Sequence, residues 1–290
     1  MTGTVLALLA ALFYSLSMVL VRKSLDKSNF LSVALVITVT GNIILWSLAL
    51  LFTHLKSVNL EGFLFFAIAG MLAPGVTRLL YYKGMEVVGL SVNASIFAAY
   101  PLCSSIFAVL LLRETLSAEN WIGIVCIVVG VVLIERNFGK PKTGSERTLK
   151  RSLVFPLLAT LTVSLSTIVR KHGLNICNEP LLGVAIGYSS TFLLYLVLSI
   201  FSNCKRGSMF SGKDFRLFWK AGVGMSLAWI LSFYALRHER VSIVTSLIQT
   251  EPLFILFFTH LYLKELECVS FKLLISALLI VTGVMFVSIH

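Results

Sequence analysis

The sequence predicts an all-α integral membrane protein of ten transmembrane helices, arranged as two inverted five-helix repeats. Three observations carry that prediction. The composition suits lipid rather than water. The chain divides into ten long apolar runs. The landmarks of the first five runs recur, in order, in the last five. Of 290 residues, 58% are hydrophobic and 13% charged, with a mean hydropathy of +0.94. A soluble domain carries about 25% charged residues, so a chain this apolar is expected to have the bilayer as its solvent. The net charge of +11 sits in short segments between apolar runs. That is the pattern of membrane topology, not of a nucleic-acid surface.

The runs span 4–21, 31–53, 62–82, 92–112, 120–135, 152–169, 180–201, 217–236, 242–263 and 271–288. They lack the period-2 alternation of barrel strands, so helices are expected. The first run has no charged residue before it and Arg22-Lys23 after it. It is read as a retained helix and not as a cleaved signal. The stretch 136–151 is polar, contains Gly139 and Pro141, and holds six basic residues: Arg136, Lys140, Lys142, Arg147, Lys150 and Arg151. It is read as a linker between a first repeat, 1–135, and a second, 152–290.

The repeat is visible run by run. Ser15-Leu16-Ser17 and Arg22-Lys23 return as Ser164-Leu165-Ser166 and Arg170-Lys171. Gly41-Asn42 answers to Gly187-Tyr188, and Ala69-Gly70 with Tyr81-Tyr82 to Ala221-Gly222 with Phe233-Tyr234. The fourth runs match most closely. Ser91, Pro101 and Arg113-Glu114 stand at the same offsets as Ser242, Pro252 and Lys264-Glu265. Gly123 and Gly130 correspond to Ser276 and Gly283. With five helices per copy, the second copy enters the membrane from the opposite side. An inverted repeat places a binding site near the midplane, at the repeat interface.

Candidate site residues follow from polarity at membrane depth. Glu251 stands beside Pro252 near the middle of the ninth run, and an ionisable group there is costly. It is expected to bind a proton, a cation or a substrate ammonium, or else to be a structural acid. Tyr100 occupies the equivalent position in the first copy. Arg78, following Pro74 and Gly75 in a run expected to bend there, is a candidate anion clamp or an interfacial arginine. Asn42, Asn93 and Gln249 are expected to line the cavity or to bond between helices. Trp229, with Tyr100, Phe97, Tyr188 and Tyr234, is a candidate aromatic wall. Pro101 and Pro252 free the carbonyls of Phe97 and Ile248 and are candidate hinges. Glu114 and Glu265 are read as caps before the fifth and tenth helices. The five cysteines form no C-x-x-C pair, so neither metal nor disulfide framework is expected.

Taken together, these residues resemble the EamA repeat of the drug/metabolite transporter superfamily. The resemblance rests on Tyr82, Tyr100-Pro101, Leu112-Arg113-Glu114, Gly123 and Gly130, then on Tyr234, Glu251-Pro252, Leu263-Lys264-Glu265 and Gly283. It covers nearly the whole chain. It implies ten helices and transport of small organic molecules such as amino acids, other metabolites or drugs. It also implies cytoplasmic termini. Counting basic residues gives the reverse orientation. Arg22, Lys23, Lys27, Lys83, the linker, Lys205, Arg206, Lys213, Arg216, Lys264 and Lys272 fall on one side, against Lys56, Arg113, Arg170, Lys171, Arg237 and Arg240 on the other. The positive-inside rule then puts the termini outside.

The expected function is a secondary transporter in the cell membrane, moving a small organic metabolite by alternating access. A lipid or lipid-precursor flippase of the same architecture is the alternative. A membrane-embedded enzyme is less favoured, because no H-E-x-x-H, G-x-S-x-G or nucleotide-binding motif occurs. The expected partners are the solute, the bilayer and a coupling proton or ion. No cofactor, metal or nucleic acid is expected, and the chain is expected to act as a monomer or homodimer.

Overall fold

The structure is a computed structural model that describes residues 2–25, 30–53, 59–88, 90–138, 153–201, 212–263 and 271–287. Among these, every regular element is helical. They are α1 (Thr2–Leu25), α2 (Phe30–Phe52), α3 (Leu60–Gly70), a π-helical turn (Met71–Val76), α4 (Thr77–Val88), α5 (Leu90–Phe97), α6 (Tyr100–Leu112), α7 (Ala118–Phe138), α8 (Val154–Ile176), α9 (Pro180–Phe201), α10 (Gly212–His238), α11 (Val241–Ile248), α12 (Glu251–Leu263) and α13 (Phe271–Val287). Seven segments among the described residues are long and apolar enough to cross a membrane. The runs expected at 120–135, 242–263 and 271–288 coincide with α7, with α11 and α12, and with α13, which hold the apolar stretches Ala118–Ile134, Val241–Ile255 and Ile275–Val287. Residues 136–138 of the expected linker continue α7, while 139–151 and Glu265 lie outside the described residues.

Polarity is distributed as lipid demands. Leu51, Phe52, Leu110 and Met285 face outward, while Ser15, Ser17, Ser164, Ser166 and Thr191 are wholly buried. Hydrocarbon offers no hydrophobic drive between helices, so small and hydroxylated residues hold the interior together by close approach and hydrogen bonds. α1 packs along α10, α8 along α3 and α4, and α7 along α13. The last pair runs antiparallel. A Cβ on Gly123 would stand 2.7 Å from the Gly283 oxygen, and one on Gly130 would stand 2.9 Å from the Ser276 oxygen. A second backbone contact joins Gly70 of α3 to Gly187 of α9, where a Cβ would overlap the Gly187 backbone.

Among the described residues three helical segments are interrupted, each for a local reason. Between α3 and α4, Ala73 is extended (φ −142°, ψ 126°) and Pro74 supplies no N–H. The bend expected from Pro74-Gly75 is therefore present. Side chains of α8 and α9 satisfy the carbonyls it releases. Ser166 donates to Ala69 O at 2.8 Å, and Thr191 to Gly70 O at 2.8 Å. Tyr195 donates to Pro74 O at 3.0 Å and Gly75 O at 3.2 Å. The other two breaks stand at matching places, Ala98-Ala99 before Tyr100-Pro101 and Gln249-Thr250 before Glu251-Pro252. The ψ angles of Ala99 and Gln249 are both −2°. The protein partners at these breaks reach flanking carbonyls. Thr160 donates to Ile96 O, Ser164 to Tyr100 O at 3.1 Å, and the Tyr100 hydroxyl to Thr245 O at 3.1 Å.

The α7–α13 seam is the most exacting contact for a substitution to disturb. Gly123→Leu brings side-chain atoms against the Gly283 carbonyl and the Val287 amide, backbone that cannot rotate away. It should destabilise the protein by about 2 kcal/mol or more, at the upper part of the overpacking range. A fall in apparent melting temperature in detergent measures it, with the outward-facing Leu110→Ala as the near-neutral reference.

Candidate functional site

The site is built around a charge carried deep on α8. This helix runs to Ile176, beyond the apolar run that ended at 169, and so carries Arg170 into the protein, where only 4% of it is exposed. The guanidinium carbon lies 4.5 Å from the ring centre of Trp229 and 4.9 Å from that of Phe233. Those two rings are four residues apart on α10 and therefore share a face. Facing an aromatic ring partly compensates the cation for lost water. One turn back on α8, the Ser166 hydroxyl accepts from Nη2 at 3.3 Å. Among the described residues Nε has no hydrogen-bond partner, and neither does the buried hydroxyl of Tyr188.

Around this centre the aromatic groups interlock edge to face. Trp229 lies 6.0 Å from Tyr14 and 6.0 Å from Tyr188, at interplanar angles of 83° and 81°. Arg170, Tyr188, Trp229 and Phe233 enclose a cavity whose opposite wall is Ala73-Pro74, the bend between α3 and α4. Its volume is about 10 Å³, roughly the space one water needs. The site is thus closed in this conformation.

The residues expected from sequence divide between this centre and other parts of the protein. Trp229 lines the cavity. Tyr100 is within electrostatic reach of both Arg170 and Glu251, and Glu251 within reach of Tyr14. Arg78, a turn beyond the bend, has Tyr195, Tyr82, Tyr188 and Tyr14 as its electrostatic neighbours. Both Arg78 and Arg170 are thus electrostatic neighbours of Tyr188. Asn42 is committed elsewhere. Its amide nitrogen donates to Tyr188 O at 3.2 Å and Thr38 O at 2.9 Å, and its oxygen accepts from Ser189 at 2.8 Å. Asn93 is fully buried against Gly84 of α4, with neither amide atom partnered among the described residues. Gln249 sits half-buried at the α11–α12 break. Pro101 and Pro252 are the second residues of α6 and α12.

Arg170 corrects the sequence reading, which counted it among charges outside the membrane. Hydropathy truncates a helix at its first charge, while the backbone continues until a turn is written. Here the turn lies at Cys177–Glu179, ahead of Pro180. The Ser166-x-x-x-Arg170 spacing and that late turn were the available signals. Tyr14 and Phe233 were missed because only packing distinguishes them from other buried aromatics.

Glu114 is a second correction. It does not cap the following helix. Its carboxylate accepts from Val241 N at 2.7 Å, Ser242 N at 3.3 Å and Ser242 Oγ at 2.7 Å, capping α11 from the other half of the chain. The following helix, α7, is capped by Ser117 and Asn120, which exchange bonds in both directions as in a capping box. At the same end Lys171 donates to the carbonyls of Leu236 and Glu239, and Arg240 to Thr115 O at 2.6 Å. Glu114, Lys171, Glu239 and Arg240, with Arg237 and His238, line a depression of about 300 Å³.

The model of the EamA-like transporter family matches residues 1–136 and again 150–289. The chain belongs to the EamA-like transporter family. It is accordingly a multi-pass membrane protein of the drug/metabolite transporter type. A crystal structure of another protein superposes with a TM-score of 0.80 at 15% sequence identity, over 99% of this chain and 96% of that one. At that identity the likeness speaks for the fold alone. No curated protein matches the sequence.

For this EamA-like transporter, Glu114→Ala leaves the α11 amides of Val241 and Ser242 without their acceptor. Apparent stability should fall by about 1–3 kcal/mol, the range for a buried donor stranded by loss of its partner. Glu114→Gln retains an acceptor oxygen and should fall less. Thermal unfolding of the three proteins side by side checks the order.

Proposed function

We propose that the protein is a secondary carrier in the cell membrane, moving a small organic metabolite by alternating access through ten spans arranged as two inverted repeats. One observation carries the reading: the interrupted segment between α3 and α4 lines a closed cavity containing a buried charge, in a chain of a transporter family with two further interrupted segments. Irregular backbone at membrane depth is tolerated where it is buried in protein or lines a water-filled cavity. Discontinuous helices at a repeat interface are the way many carriers build a solute site.

The packing supports an inverted repeat over 1–135 and 152–290, joined by 136–151. The contact of Gly123 with Gly283 and that of Gly130 with Ser276 exchange with one another when each residue is replaced by its equivalent in the other copy. So do the packing of α1 on α10 and of α8 on α3 and α4. With no nucleotide-binding motif in the sequence, the energy source is a gradient. The Ala98-Ala99 and Gln249-Thr250 breaks are the hinges, and Pro101 and Pro252 keep them from closing into continuous helix. Opening at the Glu114 end separates Glu114 from α11 and Lys171 from the end of α10. Each of these contacts is a short list of hydrogen bonds, an exchange small enough to be reversed on every cycle.

Glu251 is the coupling group. It stands at the start of α12, within reach of Tyr100 and Tyr14, and moves with the hinge it adjoins. Glu251→Gln should insert normally and lose solute movement driven by an imposed pH gradient in proteoliposomes. Undiminished pH-driven uptake by the variant would sink the assignment.

A further inference from the structure

We infer that the solute carries an oxyanion, a carboxylate or phosphate ester, which Arg170 and Tyr188 bind while an apolar body rests on Trp229 and Phe233. This rests on the carrier reading above and adds the chemical class of its substrate. The first ground is the state of Arg170. A guanidinium has five N–H donors. This one is 96% withdrawn from solvent, its face is occupied by two rings, and one donor is met by Ser166. The Nε donor, on the edge shared with Nη2, is without a partner among the described residues. Buried polar groups are ordinarily satisfied, and one that is not asks for an explanation. With Nε and the second N–H of Nη2, the Nε–Nη2 edge can take two oxygens of a carboxylate or phosphate side by side.

The second ground is independent of the arginine. Tyr188 lines the same cavity, and its hydroxyl is buried with no hydrogen-bond partner among the described residues. Stacking holds the guanidinium and packing holds the phenol, so neither has to be reorganised when an anion arrives between them. Apart from these two groups the side chains lining the cavity are largely apolar: Trp229, Phe233, Val184, Ala73 and Pro74, with Gly70 and Gly187. A wall of that kind receives an aromatic or branched aliphatic body and offers no built set of polar contacts for a sugar.

The third ground is the approach. Arg170 is followed on α8 by Lys171, which lines the depression of about 300 Å³ at the end of the bundle together with Arg237, Arg240 and His238. Two carboxylates, Glu114 and Glu239, share that lining. Both are engaged with the start of α11, Glu114 through its three bonds there and Glu239 through Arg240 N at 3.2 Å. When that end opens, the next cation inward from the basin is Arg170.

The test uses the full chain in detergent and four probes sharing one aromatic body: phenylpropanoate, phenylpropanamide, phenylpropylamine and phenyl phosphate. Calorimetry should show an oxyanion probe binding at least about tenfold more tightly than the amide and the amine. Whichever of phenylpropanoate and phenyl phosphate binds better names the oxyanion. Arg170→Lys keeps the charge but loses the two-toothed edge and should weaken that probe by about tenfold or more. Tyr188→Phe should weaken it several-fold and leave the amide unaffected. Equal binding of the amide or amine overturns the inference, as does unchanged affinity in Arg170→Lys, or no binding of either oxyanion at millimolar concentration. The wild-type comparison needs no variant, so a variant that fails to fold does not remove the test. Counterflow of the preferred probe in proteoliposomes separates the two readings. Binding with no counterflow overturns the carrier and leaves the anion site, whereas counterflow of the amine as fast as the acid overturns the anion site and leaves the carrier.

Discussion

A backbone carbonyl inside a bilayer must find a donor within the protein. Among the described residues three helical segments are interrupted, and each interruption releases carbonyls where lipid offers nothing. The repair comes from elsewhere in the sequence. Ser166 of α8 and Thr191 and Tyr195 of α9 donate into the bend between α3 and α4, while Thr160 and Ser164 of α8 donate into the break between α5 and α6. α8 is therefore held against both interrupted segments of the first half by its own hydroxyls. Because Arg170 lies one turn beyond Ser166 on that helix, the same bonds that mend the bend also place the guanidinium beside it.

The packing has two grades of contact. Along α7 and α13, backbone lies against backbone, with glycines or Ser276 at the points of closest approach. Such a seam has one fit. Around the breaks before Pro101 and Pro252, single hydrogen bonds to carbonyls do the holding, and in membranes each contributes on the order of 1 kcal/mol. Motion belongs where the second grade prevails. The Glu114 end is of that grade, with a carboxylate on two amides and a hydroxyl and cations on carbonyls. A rigid seam joined to a polar latch is the contrast on which the proposed gating rests.

Much of this was legible in order along the chain. Pro74, Pro101 and Pro252 marked all three interruptions, because the missing N–H and the ring clash of proline act within one turn. Trp229 was named as wall and lines the cavity. Asn42 was also named, and its amide is spent on the α2–α9 contact with Ser189, 147 residues away. Glu114 was read as a local cap, yet its amides lie in the other half. In both cases the residue type announced a hydrogen bond, and only packing selected the partner.

The sequence by itself determined the helices, their interruptions and the doubling of the unit, since apolar length, proline and recurring landmarks are properties of neighbours in the chain. It also determined the family, through motifs that recur at fixed offsets. Tertiary structure decided which buried polar groups are consumed in holding the fold and which keep a donor in reserve. Arg170 shows why. In sequence it is a charge that ends an apolar run. In the folded protein it is stacked between rings of another helix, set by a serine on its own, and facing a cavity walled by a third. Satisfaction of a polar group is a sum over everything that surrounds it, and that sum does not exist until the helices have met.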